Sequence, residues 1–137
     1  MEILQEPLSE ELKKKVYEGF HEHSLQKMGV DLLQDPISFI AKINNEIVGT
    51  VVVQPFWGAL HLKYVWVKEE NRGKGFGKKL LEYALSFGKK NDYRFAFVET
   101  MNFQAPMFYQ KLGFTIDFIR SGYSHETSFY YLSKKLS

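Results

Sequence analysis

Cysteine is absent from this 137-residue chain, which excludes disulfides, thiolate nucleophiles and cysteine-ligated zinc. Histidine is scarce. His21, His23, His61 and His125 are the only four, they form no HExxH pattern, and no metal site is expected. Arginine numbers only three, and 18 basic against 16 acidic side chains leave a net charge of +2. Such a chain has neither the concentrated basic face nor the bidentate arginines that nucleic-acid binding calls for. No apolar run approaches the roughly 20 residues of a membrane span, and the opening MEILQEPLSEELKKK lacks the basic-then-apolar order of a secretory signal. The expectation is a cytoplasmic protein with no membrane or nucleic-acid partner.

What is present suits one packed domain over residues 1–137. Apolar residues make up 45% and charged residues 25%, which excludes wholesale disorder. A chain of this length buries roughly 68% of its unfolded surface, so it needs no covalent staple. The aromatic share is high, with 12 Phe and 8 Tyr, and points to a sheet-rich core or an aromatic-lined pocket.

Ser9 precedes EELKKKVYEGF, where Leu12, Val16 and Phe20 recur every fourth residue. That predicts a helix from Glu10, capped by Ser9, with Gly29 as the next clear stop. SFIAKI (38–43) and IVGTVVVQ (47–54) read as neighbouring strands about an Asn44-Asn45-Glu46 turn, the second limited by Pro55. After Gly58 comes a third strand, ALHLKYVWV (59–67), with Leu60, Leu62, Tyr64 and Trp66 on one face. The period then changes, and Phe76, Leu80, Leu81, Ala84 and Phe87 form an apolar helical stripe. YRFAFVET (93–100) is a strand with Phe95, Phe97 and Glu99 on one face. A short helix from about Phe103 to Leu112 ends at Gly113, and strands over 116–120 and 128–132 follow, with Gly122 in the loop between them. This order predicts a mixed α/β sheet domain with helices covering both faces.

The chemistry concentrates between the third strand and the long helix. Arg72-Gly73-Lys74-Gly75-Phe76-Gly77 leaves backbone N–H groups facing outward directly before a helix N-terminus, beside Lys74, Lys78 and Lys79. That is a cradle for an anion, and a diphosphate is its natural guest. The Walker A pattern is missing, and the glycine spacing is one residue short of a dinucleotide fingerprint. On the glycines alone, a flexible loop that merely permits close packing is the competing reading.

Two segments together resemble the GNAT superfamily of acetyl-CoA-dependent N-acyltransferases. Arg72, Gly75 and Gly77 match its Arg/Gln-x-x-Gly-x-Gly/Ala signature in register, and Asn102-Phe103-Gln104-Ala105-Pro106-Met107-Phe108-Tyr109-Gln110-Lys111-Leu112-Gly113-Phe114 matches its Asn-x-x-Ala-x-x-Phe-Tyr-x-x-x-Gly-Phe segment throughout. The wording is similar to that of a bacterial subgroup of small single-domain members, and the resemblance covers nearly the whole chain. It implies a GNAT-like fold: a central mixed, mostly antiparallel sheet whose fourth and fifth strands run parallel and splay, here at 60–67 and 93–100. It also implies acetyl-CoA as cosubstrate, with no metal. Backbone groups of Val65, Trp66 and Val67 would meet the pantetheine arm and the thioester oxygen. Arg72, Gly73, Lys74, Gly75, Phe76, Gly77 and Lys78 would hold the diphosphate, with Asn102, Ala105, Phe108 and Tyr109 flanking the coenzyme.

By the same resemblance Tyr109 is the proton donor to the leaving thiolate. Glu99, near the end of its strand, is the candidate base, directly or through water; the same carboxylate would equally suit binding an ammonium group. His61 reads as an ordinary strand histidine. Asn102 suits both a helix cap and a contact to the coenzyme arm. The acceptor pocket is expected from 20–33, 54–57 and 123–129, with Phe20, Phe56, Trp57, Tyr123 and His125 as contacts. Its guest would be a small-molecule amine or a peptide N-terminus. The alternative function is a CoA-binding sensor or interaction protein of the same fold without turnover. Small members of the family often pair, and the aromatic run 129–132, whose face or edge needs cover, adds the expectation of a weak homodimer.

Overall fold

A computed structural model describes residues 1–137, which form two compact units, Met1–Leu32 and Leu33–Ser137. The first holds helix α1 (Glu10–Met28). Ser9 caps it, its Oγ accepting the Leu12 N–H at 3.0 Å. Gly29, left-handed at φ 75°, closes it by donating its N–H to the Leu25 carbonyl. Both ends follow from residue type, since Ser9 supplies the missing acceptor and glycine tolerates positive φ. His21 Nδ1 meets Asp31 Oδ2 at 2.7 Å and ties the segment after the helix back to it. No helix of the chain is long and apolar enough to cross a membrane.

The second unit is a six-stranded sheet of β1 (Ile37–Ile43), β2 (Glu46–Phe56), β3 (Ala59–Val67), β4 (Phe95–Met101), β5 (Thr115–Tyr123) and β6 (Thr127–Lys135). The spatial order is β1-β2-β3-β4-β6-β5, and every pairing is antiparallel except that of β3 with β4. Two helices belong to it, α2 (Phe76–Lys90) and α3 (Pro106–Lys111). The mixed α/β class and the element order are those expected from the sequence.

Several local expectations need correction. Pro55 does not end β2; it lies buried within the strand, which runs on to Phe56. Its carbonyl accepts from Gln34 N–H on the side where β1 has already stopped, so its nitrogen faces no ladder partner and the missing donor does no harm. The even alternation expected along β3 breaks at Lys63. Val52 pairs with Tyr64 but Val53 with Leu62, so Lys63 is bulged and Tyr64 and Trp66 are exposed while Leu60 and Leu62 are buried. Gly122 lies inside β5 at an irregularity of its pairing rather than in a loop. β6 sits between β4 and β5, so the run 129–132 has no free edge and only its face is left to cover.

One core forms where α2 packs on the sheet, around Val51, Val53, Leu60, Leu62, Leu81, Ala84, Ala96, Val98 and Leu132. Two glycines set how closely the helix approaches. A Cβ on Gly49 of β2 would stand 3.0 Å from Leu80 Cδ1, and one on Gly88 of α2 would stand 2.8 Å from Leu136 Cδ1 and 3.2 Å from Leu60 Cδ2. Ala at position 88 would gain up to about 1 kcal/mol of helix propensity. It would meet two buried leucines, and overpacking of this kind costs about 1–3 kcal/mol. The steric term wins, so Gly88→Ala is expected to lower stability by about 1 kcal/mol, read as a lower denaturation midpoint with an unchanged m-value. A raised midpoint would show that Leu136 swings away at no cost.

Candidate active site

β3 and β4 start side by side and then part. Their parallel ladder has two rungs, Leu60 with Ala96 and His61 with Phe97, although both strands continue, to Val67 and Met101. Strand alternation determines which backbone groups face the gap beyond the last rung. Lys68 N–H bonds the Val48 carbonyl of β2, so Trp66 also faces β2, and Val65 and Val67 face the gap. On the other side Asn102 N–H bonds Ser128 of β6, so Thr100 faces β6 while Glu99 and Met101 face the gap. Two of these four are already engaged: Val67 O accepts from Arg72 Nε at 3.0 Å, and Met101 exchanges bonds with Gln104. The backbones of Val65 and Glu99, with the Val67 N–H, remain to line it. Of the expected trio, Val65 and Val67 turn backbone toward the gap, Val67 through its N–H alone, and Trp66 turns toward β2.

At the end of the gap stands the glycine loop. A single 3-10 turn (Glu69–Asn71) takes up the Arg72 N–H, which donates to the Glu69 carbonyl. With its Nε on Val67, Arg72 staples the loop to the strand end and offers no amide to a diphosphate, contrary to expectation. The next six residues, Gly73 to Lys78, have no intrachain acceptor for their N–H groups; Lys79 is the first to bond back, to Gly75. Gly73 and Gly75 hold φ at 75° and 83°, a turn open to L-residues only under strain. This row of amides at the start of α2, with Lys74, Lys78 and Lys79 close by in sequence, is a ready anion cradle. Gly77 lies against Val67 on one side and the Phe108 ring on the other, which brings the cradle next to α3.

α3 begins at Pro106, later than expected, and Asn102 does not cap it. Asn102 Oδ1 instead accepts Ser128 N–H at 3.1 Å and pins β6. The turn into α3 is built by Thr100 and Gln104: Gln104 Oε1 takes the Met101 N–H at 3.0 Å, and Thr100 Oγ1 takes the Ala105 N–H at 3.4 Å. The sequence reading missed both. Tyr109 is buried, 7% exposed, between the edges of Phe108 and Phe114 at centroid distances of 5.2 and 5.6 Å. Its hydroxyl has no hydrogen-bond partner in the chain, and no buried side-chain polar atom lacks a partner, so Oη keeps contact with solvent. Burial pushes its pKa up to about 12.

The face turned away from α2 carries an arrangement that sequence spacing did not indicate. His61 Nε2 and Glu99 Oε2 are 2.7 Å apart, both partly buried, and the imidazole stacks on Phe97 at 4.4 Å. His61 is thus a partner of Glu99 across the start of the gap. Of the expected acceptor contacts, Phe56 packs edge-on to Phe97 at 6.1 Å, beside this pair. Trp57 sits in the β2–β3 hairpin turn at φ 45°, Phe20 lies on α1, and Tyr123 and His125 line a separate hollow with Met101 and Phe103. No group of three or more His, Asp or Glu side chains converges in a way that would hold a metal ion.

Comparisons with known proteins bear on this geometry. Residues 1–114 match the model of the acetyltransferase (GNAT) family. An acetyltransferase of Agrobacterium fabrum is 27% identical over 113 residues, 82% of either chain. A solved chain from Agrobacterium tumefaciens superposes with a TM-score of 0.88 at 24% identity over 98% of both chains. Another, from Bacillus anthracis, has a TM-score of 0.67 at 24% identity, covers 74% of this chain and 63% of its own, and was solved in complex with acetyl coenzyme A.

The raised Tyr109 pKa carries a stability consequence. Unfolded, the phenol ionises near its ordinary 10; folded, it holds its proton to about 12. The contribution is complete below pH 10 and is lost as pH rises toward 12, by up to about 2 kcal/mol. Denaturation midpoints followed from pH 9 upward should fall over this window in the wild type, and the fall should be smaller in Tyr109→Phe. Parallel curves would show that the buried phenol ionises like a solvated one.

Proposed function

The chain belongs to the acetyltransferase (GNAT) family, and from that premise we propose that it transfers an acetyl group from acetyl-CoA to a primary amine, by direct attack with both substrates bound. The observation that carries the reading is the two-rung ladder: two strands that continue past His61 and Phe97 without pairing leave a gap between them. The backbone edges of Val65 and Glu99 suit a peptide-like pantetheine arm. The amides of Gly73 to Lys78 suit its diphosphate, and Phe108 supplies an apolar wall between loop and gap. Asn102 keeps its oxygen on Ser128, so any contact it makes to the coenzyme is through its amide NH2. Bound there, acetyl-CoA supplies the activated acetyl thioester.

Net transfer forms a nitrogen–carbon bond, breaks a carbon–sulfur bond and moves a proton away from nitrogen. Glu99, oriented by His61, takes the amine proton directly or through water. The Val65 N–H faces the gap and serves as a donor to the carbonyl oxygen. Tyr109 acts toward sulfur, and its pKa decides how. A phenol at about 12 is a weaker acid than a thiol, so full proton transfer would be uphill by roughly 3 units or about 4–5 kcal/mol. Its role is to donate a hydrogen bond to the developing thiolate, which takes its proton later from water. For the same reason no descending limb of the rate profile belongs to Tyr109 until pH nears 12.

The reading is tested by thiol release from acetyl-CoA against a panel of amines. Glu99→Gln keeps shape and removes the base, and should lower kcat by about 10²–10⁴-fold. Tyr109→Phe removes one hydrogen bond to a charge, worth roughly 10–100-fold in kcat, with the CoA dissociation constant nearly unchanged. Activity of both variants within threefold of wild type would remove this machinery from the mechanism. The cradle is tested separately. Gly75→Val forces a β-branched residue into φ 83° and so disturbs the turn that presents the amides, and calorimetry should show CoA binding weakened at least about tenfold. Unchanged affinity in the folded variant would move the diphosphate elsewhere.

A further inference from the structure

The second unit holds a cavity of about 750 Å³ on the face that carries His61 and Glu99, spread over β4, β6 and β5. Resting on the transfer reading above, the geometry points to this cavity as the acceptor site. It selects an elongated amphoteric acceptor, with a primary amine at one end, a flat apolar body, and an anionic group at the other end.

Three features define the site. The first is its connection to the reaction: Glu99 is a wall residue, and His61, its partner, stacks on another, Phe97. Any molecule filling the cavity with an amine at the Glu99 end has that amine beside the base and beside the gap between β3 and β4. The second is its walls. Phe95 and Phe97 stand in a row along β4, 5.9 Å apart, and Tyr131 of β6 lies across from them, tilted against Phe118 at 6.0 Å. Opposite Phe97 the register places Ser133, the small residue that leaves the hollow between these rings. A flat hydrocarbon body fits such walls.

The third feature is a division of charge along the strands. Glu99 pairs in register with Tyr131, and Asp117 is the bulged residue of β5 at the level of Leu132 and Tyr131, so both carboxylates occupy the same half. Phe95 pairs with Lys135, and Arg94 precedes it, so both cations occupy the other half, together with Ser137. No ion pair within the chain engages Asp117, Arg94 or Lys135. From the Glu99 rung to the Phe95 rung is four residues, about 13 Å of strand. The field along the cavity therefore favours a cation at one end and an anion at the other, separated by roughly one nanometre. A short polyamine gains at Glu99 and Asp117 and is repelled at Lys135. An arylalkylamine without an anionic tail gains at Glu99, Asp117 and the walls but nothing at Lys135.

The test uses the whole chain and three probes: a phenethylamine with a para-carboxylate, its para-methyl analogue, and a linear triamine. Thiol release should give the highest kcat/KM for the carboxylate-bearing amine and the lowest for the triamine. The ratio of carboxylate-bearing to methyl-bearing amine should fall about fivefold in Lys135→Glu and less in Lys135→Gln, the size expected for a solvent-exposed charge pair. Ser133→Phe, which fills the hollow, should lower kcat/KM for both by tenfold or more; calorimetric CoA binding reports whether that variant has kept its fold. Transfer to amines with a ratio indifferent to Lys135 and a rate indifferent to Ser133→Phe would overturn the cavity assignment and leave the transferase reading standing. If no amine releases thiol, calorimetry of the carboxylate-bearing amine with the CoA-loaded protein decides the cavity by itself. Binding lost in Ser133→Phe supports it while the transfer reading fails, and no binding in the wild type overturns it.

Discussion

The parallel pairing of β3 with β4 is the constraint on which the rest of the structure depends. Adjacent strands in a sheet normally satisfy each other's backbone along their full length, because an unpaired peptide group away from water is costly. Here the ladder stops at His61 and Phe97 while both strands continue. The Lys63 bulge bends β3 at this point. On the far side β4 is held by β6 along seven consecutive residues, Phe95 to Met101. One strand turns, the other cannot follow, and a gap with strand-like edges opens between them.

What surrounds the gap keeps it usable. The side chains nearest the gap are each committed: Arg72 to the Val67 carbonyl and Gln104 to Met101 at its end, and Asn102 to Ser128 across on β6. Val65, Glu99 and the Val67 N–H are left to offer backbone inward. The helices contribute through position rather than contact area. Gly49 and Gly88 let α2 settle close on the sheet, which brings its amide-rich N-terminus to the end of the gap. α3 is short and anchored at its exit, where Lys134 Nζ donates to the Leu112 carbonyl at 2.7 Å. That anchoring holds Tyr109 between the rings of Phe108 and Phe114, and the desolvation that results keeps its phenol protonated.

The two faces of the sheet then divide the work. The α2 face carries the core, the amide cradle and Tyr109. The opposite face carries His61, Glu99, the phenylalanine row and the cavity that divides carboxylates from cations. In the proposed transfer, the group that would take the amine proton and the group that would donate to sulfur therefore sit on opposite faces.

Much of this was legible in the order of residues. Ser9, Gly29, the glycine loop and the apolar stripes are local signals. Capping, positive φ and periodicity act within a turn or two of the chain, so the element order and the loop before α2 could be read directly. The Arg72 to Gly77 and Asn102 to Phe114 segments carried the family resemblance for the same reason. Where the reading failed, the deciding partner lay far away in sequence. Pro55 continues its strand because β1 stops early on that side. Asn102 does not cap α3 because its oxygen accepts from Ser128 of β6, and the phase of β3 shifts because a bulge forms against β2. His61 and Glu99 are 38 residues apart and meet only because β3 and β4 run parallel in one register. The sequence by itself determined the elements, the cradle and Tyr109. Only the tertiary structure decided the gap, the His61–Glu99 pair and the divided cavity, because register between strands distant in sequence is set by the packing of the whole sheet and not by any local pattern.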